Sequence, residues 1–152
     1  MLTQKAKYAL QALRVLAAAG SEGAAQTARP TLTIQAIAER ARAPRKFLET
    51  ILLDLRRHGF VDSLRGKAGG YVLAMAPADI RLSEVIRALD GPLAPIPCAS
   101  LTAYRPCTDC PDPAACALRR VMREVRDATA AILDARSVAD LIGPPDAGCG
   151  KK

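Results

Sequence analysis

Four of the five cysteines in this 152-residue chain, Cys98, Cys107, Cys110 and Cys116, fall within 19 residues, and six prolines stand in the stretch 92–113 among them. No apolar run reaches the roughly 18–20 residues needed to span a membrane. The opening MLTQKAKYAL also lacks the charged-then-apolar build of a secretion signal, so the expected compartment is the cytoplasm. Structural disulfides do not persist there, and clustered thiols then point to metal or redox chemistry. Iron–sulfur clusters require thiolate ligands, and a proline-rich loop can gather four of them around one centre where a helix would splay them. Four thiolates on a dicationic core leave a charge of about −2, which Arg105, Arg119 and Arg120 are placed to offset. Other chemistries stay open. Cys107-x2-Cys110 is half of a zinc site, although a second close pair is lacking, and a thiol–disulfide switch needs only two of the four. Inert core cysteines are disfavoured because residues between prolines in a loop are hard to bury. A thioredoxin-like enzyme is disfavoured because Cys107-Thr108-Asp109-Cys110 does not open a helix after a strand. Cys149, flanked by glycines in the tail, reads as an uninvolved free thiol.

The second group of candidates is basic. With 22 Lys+Arg against 15 Asp+Glu the net charge is +7, which favours a polyanionic partner, nucleic acid ahead of an acidic membrane surface. Between Arg40 and Met75 stand eight basic residues (Arg40, Arg42, Arg45, Lys46, Arg56, Arg57, Arg65, Lys67) and three acids. Arg45, Lys46, Glu49 and Thr50 are the exposed N-terminal positions of a predicted helix. Arg and Lys there suit guanine or phosphate, and Glu accepts from cytosine N4. Arg65 and Lys67 fall in a glycine-rich connection, where Arg65 suits a narrow minor groove. The competing reading of each charge is the solvated face of an amphipathic helix. His58 reads as a helix-end residue rather than a catalyst or ligand.

These residues need elements to position them. Apolar spacing predicts a helix over residues 5–19, with Thr3 as its N-cap, and a short one after the Thr33 cap ending near Ala41. A third starts with Pro44 at its first position, carries the stripe Phe47, Leu48, Ile51, Leu52 and Leu55, and ends at Gly59. Two short strands follow, 60–64 and 71–73, joined by Arg65-Gly66-Lys67-Ala68-Gly69-Gly70. Ser83 is expected to cap a helix through Leu89, and residues 92–113 to form an irregular loop. Over 117–133, Leu118, Val121, Met122, Val125, Ala128 and Ile132 recur at three- and four-residue steps, a long helix with a narrow apolar seam. Ser137 and Asp140 read as a capping box, and 143–152 as a disordered tail. Two helices across a short turn and then a basic hairpin have the order of a winged helix-turn-helix, in which the second helix enters the major groove. The fold class is therefore mainly α with a small β-hairpin wing. The expected divisions are a winged-helix DNA-binding domain over 1–91, a cysteine-bearing sensor loop over 92–116, a dimerisation helix and terminal turn over 117–142, and the tail.

The runs Phe47-Leu48-Glu49, LRRHGFV (55–61), SLRGKAGGY (63–71) and EVIRALDG (84–91) together resemble the family of IscR, NsrR and RirA, and the resemblance extends over roughly residues 1–142. It implies a homodimeric transcription factor, in practice a repressor, that binds double-stranded DNA at a near-palindromic operator. It implies too that Glu49 contacts bases, that Arg65 enters the minor groove, and that a 2Fe-2S or 4Fe-4S cluster sits on the cysteines. The family's usual pattern has five residues in each gap between three cysteines. Only Cys110 to Cys116 keeps it here. Cys98 lies further upstream, Cys107 is extra, and Arg119 stands where one branch has a histidine ligand. Lys7 stands where another branch supplies a carboxylate. Cys107 is then the expected fourth ligand of an all-cysteine site. A zinc or thiol-switch regulator of the same fold, and a redox or metal protein that does not bind DNA, are the alternatives.

Overall fold

The computed structural model describes residues 2–22, 30–66 and 69–142. Helix α1 (Gln4–Glu22) opens where the Thr3 hydroxyl accepts from the Ala6 amide, and Asp90 holds Thr3 in turn through the Thr3 amide at 2.9 Å. Its small residues Ala9, Ala12 and Ala17 let the helices packed on it approach closely around Leu13 and Leu16. Helix α2 (Ile34–Ala41) starts at the expected cap, Thr33, whose hydroxyl accepts from the Ala36 amide. It ends at Arg42, held in the left-handed region at φ 51°.

Helix α3 (Arg45–Arg57) buries Leu48, Ile51, Leu52 and Leu55. Two expectations for it shift. Pro44 is the residue before the helix rather than its first residue, with extended backbone at ψ 126°. Phe47 leaves the buried stripe and meets the Tyr8 ring edge-on, centroids 5.8 Å apart. Strands β1 (Val61–Leu64) and β2 (Gly70–Leu73) pair antiparallel, Val61 opposite Leu73 and Leu64 opposite Gly70. Leu32 adds a single bridge on the other edge, exchanging both backbone hydrogen bonds with Tyr71 at 3.0 and 2.8 Å. Gly70 makes this approach possible, since a Cβ there would stand 2.5 Å from the Leu32 carbonyl oxygen.

Helix α4 (Leu82–Asp90) begins one residue before the expected Ser83 cap. Arg81 takes that place and Ser83 is buried within the first turn. The loop over 92–113 is not wholly irregular, because Pro97 starts a 3-10 turn, Pro97–Ala99. Helix α5 (Ala117–Asp134) follows, its N-cap being Cys116. The capping box of Ser137 and Asp140 is present, and the turn Val138–Leu141 that it opens carries the buried Val138 back to the core. The order of elements, five helices and a two-stranded hairpin, is that of the predicted winged helix-turn-helix with a long C-terminal helix. The predicted tail, including Cys149, lies outside the described residues, as do Lys67 and Ala68.

Candidate nucleic-acid interface and cysteine site

The buried stripe of α3 faces α1 and α2, which leaves Arg45, Lys46, Glu49 and Thr50 exposed on the opposite side, continued by Arg56 and Arg57 in the last turn. Arg45 and Glu49 form an i,i+4 ion pair at 3.5 Å. With both partners exposed such a pair contributes little to stability, so its groups exchange readily for an outside partner. Arg65 is exposed at the start of the wing turn, where Gly66 adopts φ 109° and its carbonyl accepts from the Gly69 amide at 2.9 Å. Helix α1 enlarges the positive surface. Lys7, Gln11 and Arg14 recur at helical spacing and, with Tyr8, Arg40 and Arg42, line a cleft of about 490 Å³. Periodicity marked α1 as a core helix and gave no hint of this face.

The cysteines divide into two groups. Cys107, Cys110 and Cys116 line one open depression of about 430 Å³, together with Asp109 and Asp112. Cys116 is anchored as the α5 cap, its sulfur accepting from the Arg119 amide at 3.5 Å. That amide hydrogen bond, together with one from the Cys110 thiol, lowers the Cys116 pKa. Desolvation and the same contact raise that of Cys110. Of this pair Cys116 is thus the better thiolate and Cys110 the proton donor.

Cys98 is apart from them. At 9% relative exposure it is buried, contrary to the expectation that prolines would keep it out, because the 3-10 turn packs on α5. It lines a small cavity of about 80 Å³ with Arg119, Arg123 and Arg126. Arg126, 7% exposed, donates to the Ala99 carbonyl and to Asp127. Arg119 donates to the Cys98 carbonyl at 2.9 Å and to the Pro113 carbonyl at 3.1 Å, with its guanidinium carbon 5.6 Å from the Tyr104 ring centroid. Sequence reasoning treated these arginines as counter-charge or helix surface and missed their bonds to the loop backbone. Among the described residues no three ligating side chains stand close enough together to enclose a metal ion.

On α5, Leu118 (61% exposed), Val121, Val125 and Ile132 (65%) form an uncovered apolar stripe. No helix among the described residues is long and apolar enough to cross a membrane.

Residues 2–144 match the family model Rrf2, described as iron-dependent transcriptional regulator. The chain belongs to the Rrf2 family. An rrf2-like HTH-type transcriptional regulator of Rhodobacter capsulatus is 48% identical over 142 residues, 93% of this chain and 92% of that one. The HTH-type transcriptional regulator CymR of Bacillus subtilis is 31% identical over 95% of this chain and 91% of its own length. The solved structure of CymR, the global cysteine regulator of B. subtilis, superposes with a TM-score of 0.72 at 30% identity, covering 93% of this chain and 95% of that one. T. potens IscR superposes with a TM-score of 0.70 at 27% identity, covering 93% and 85%. This Rrf2 protein is a winged helix-turn-helix, DNA-binding transcriptional regulator and not an enzyme.

Proposed function

We propose that this Rrf2 protein acts as a homodimeric, cytoplasmic repressor whose operator affinity is set by an iron–sulfur cluster held by Cys98, Cys107, Cys110 and Cys116. The observation that carries the reading is the convergence of three thiols in one depression at the head of α5, with the fourth anchored to the same helix through Arg119. The donor set fits. All four candidates are thiols, the depression is open enough for an inorganic core, and two of the thiols are already in hydrogen-bond contact. Drawing in Cys98 requires the loop to close further. When bound, such a cluster supplies an iron- and oxidant-sensitive link among segments otherwise joined only by hydrogen bonds. The chain's own residues do the rest. Arg45, Lys46, Glu49 and Thr50 read the major groove, and Arg65 and Lys67 hold the adjacent groove and backbone. The apolar stripe of α5 pairs with that of a second copy, setting two recognition helices about one DNA turn apart. A difference of only ~1.4 kcal/mol between the two loop states changes DNA affinity tenfold.

Anaerobic purification with absorption spectroscopy and iron and sulfide analysis tests the reading. Iron and sulfide lost on replacing Cys110 or Cys116 by Ala are the expected result, and stoichiometric zinc in the wild type overturns it. The Cys110–Cys116 contact supports a second reading. The two thiols give up two electrons and two protons to a peroxide-type oxidant and form a disulfide. In that case a colourless protein loses these two thiols on mild oxidation and regains them with a reductant.

A further inference from the structure

We propose that Arg119 is a positioning residue: its side chain fastens the Cys98 end of the loop to the Cys116 end, and Cys98 is presented to the other thiols only while that fastening holds. One guanidinium joins segments far apart in the chain. Its Nε donates to the Cys98 carbonyl, 21 residues away, and its terminal nitrogen to the Pro113 carbonyl, three residues before Cys116. The Tyr104 ring, from the middle of the loop, lies against the same group. Both acceptors are backbone carbonyls, which exist whatever the neighbouring side chains are, so the specificity of the fastening rests on Arg119. A planar fork with several fixed donors can serve two carbonyls in different directions, whereas the lysine ammonium is a single mobile point. The Arg119 amide, which donates to the Cys116 sulfur, belongs to the backbone and survives any substitution except proline. Replacing the side chain therefore removes the loop fastening and leaves the Cys116 cap in place. Arg120, one residue on, is exposed and is given no bond to the loop, so it carries the same charge without the tie.

The inference rests on the cluster reading for one of its two measurements and is independent of it for the other. In metal-free, reduced protein, alkylation of each cysteine is followed by peptide mass spectrometry. Arg119→Ala is expected to raise the rate at buried Cys98 on the order of tenfold, because a segment that loses charge-assisted hydrogen bonds opens more often. Cys107, already exposed, should react as in wild type. Arg119→Lys should not restore protection, and Arg120→Ala should leave it intact. In anaerobically reconstituted protein, Arg119→Ala and Arg119→Lys should both hold iron and sulfide less firmly against a chelator than Arg120→Ala. Wild-type protection of Cys98 in both Arg119 variants overturns the proposal. So does rescue by lysine, which would reduce the effect to charge. A wild-type protein that takes up no iron ends the cluster reading and leaves the alkylation result to decide this one. Circular dichroism on each variant separates loosening of the loop from loss of the fold.

Discussion

The winged-helix part and the cysteine-bearing part of this molecule are finished to different degrees. In the first, α1, α2, α3 and the hairpin close on one another, and Leu13, Ile37, Leu48, Ile51, Leu52 and Leu55 are sealed from water. In the second, α5 buries one side chain fully, and it is an arginine, while its apolar residues face outward. The loop beside it is held by guanidinium-to-carbonyl bonds instead of a core. The first part needs only its own chain to satisfy its apolar surface. The second presents a stripe and a set of thiols that remain incomplete without something further, a second copy and an inorganic group on the reading proposed above. Recognition is built into a rigid unit, and sensing into the one whose order depends on what is bound.

The contrast can be broken most severely from the inside. Leu52→Ala should cost about 2–5 kcal/mol of stability, seen as a lower denaturant midpoint, because the sealed core cannot collapse around the missing atoms. An effect below 1 kcal/mol would mean the core is not closed there. Next in size, Val125→Glu should weaken self-association on the order of a hundredfold, about 2.7 kcal/mol, by placing a carboxylate in the α5 seam. Its helix content should be unchanged, since Val125 contributes nothing to the closed core. Sedimentation analysis would show a folded monomer, and an unaltered dimer would place the interface elsewhere. Arg65→Ala should lower DNA affinity about tenfold and spare both the fold and the thiols, because the wing start touches neither. Unchanged binding would remove the wing from the interface.

The smallest effect lies on the seam between α1 and α3, where Lys5 pairs with Asp54 at 2.7 Å. Lys5 holds the Asp54 carboxyl below its ordinary pKa, which means the pair stabilises the folded state above the unfolded carboxylate value and loses that contribution as pH falls through the folded one. Lys5→Ala should therefore cost about 0.5–1 kcal/mol near neutrality and nothing at strongly acidic pH. Thermal unfolding across pH checks this, and a constant difference at every pH would assign the loss to packing.

What could be read from the chain follows the same division. Leu48, Ile51, Leu52 and Leu55 announce α3 because their period matches a helix that buries one side, and Thr33 and Gly59 mark ends by local chemistry alone. The hairpin was legible from its glycines, but the Leu32 bridge was not, since one residue forty positions from its partner leaves no pattern. The DNA-facing residues followed from subtracting the buried stripe. The cysteines were legible as a group, though their arrangement was not. Cys98 is buried and Arg126 is too, the reverse of what a thiol between prolines and a charge on a surface helix suggest. Both outcomes come from long-range backbone hydrogen bonds, which depend on where the loop lands and not on which side chains it carries.

The capping box after α5 has one more consequence. Ser137 pairs with Arg81, Val138 is buried beneath α1, and Asp134 at the end of α5 grips Arg87 of α4 at 2.9 Å. One end of α5 is thus pinned to the DNA-reading body, and the other is attached to the cysteine loop. With 18 residues it is a rod about 27 Å long. Pivoting on that pin by about 3°, its free end travels about 1.4 Å, the size of helix displacement that allosteric proteins commonly use. The molecule has the build of a lever whose fulcrum lies against the reading head and whose handle is the loop of thiols.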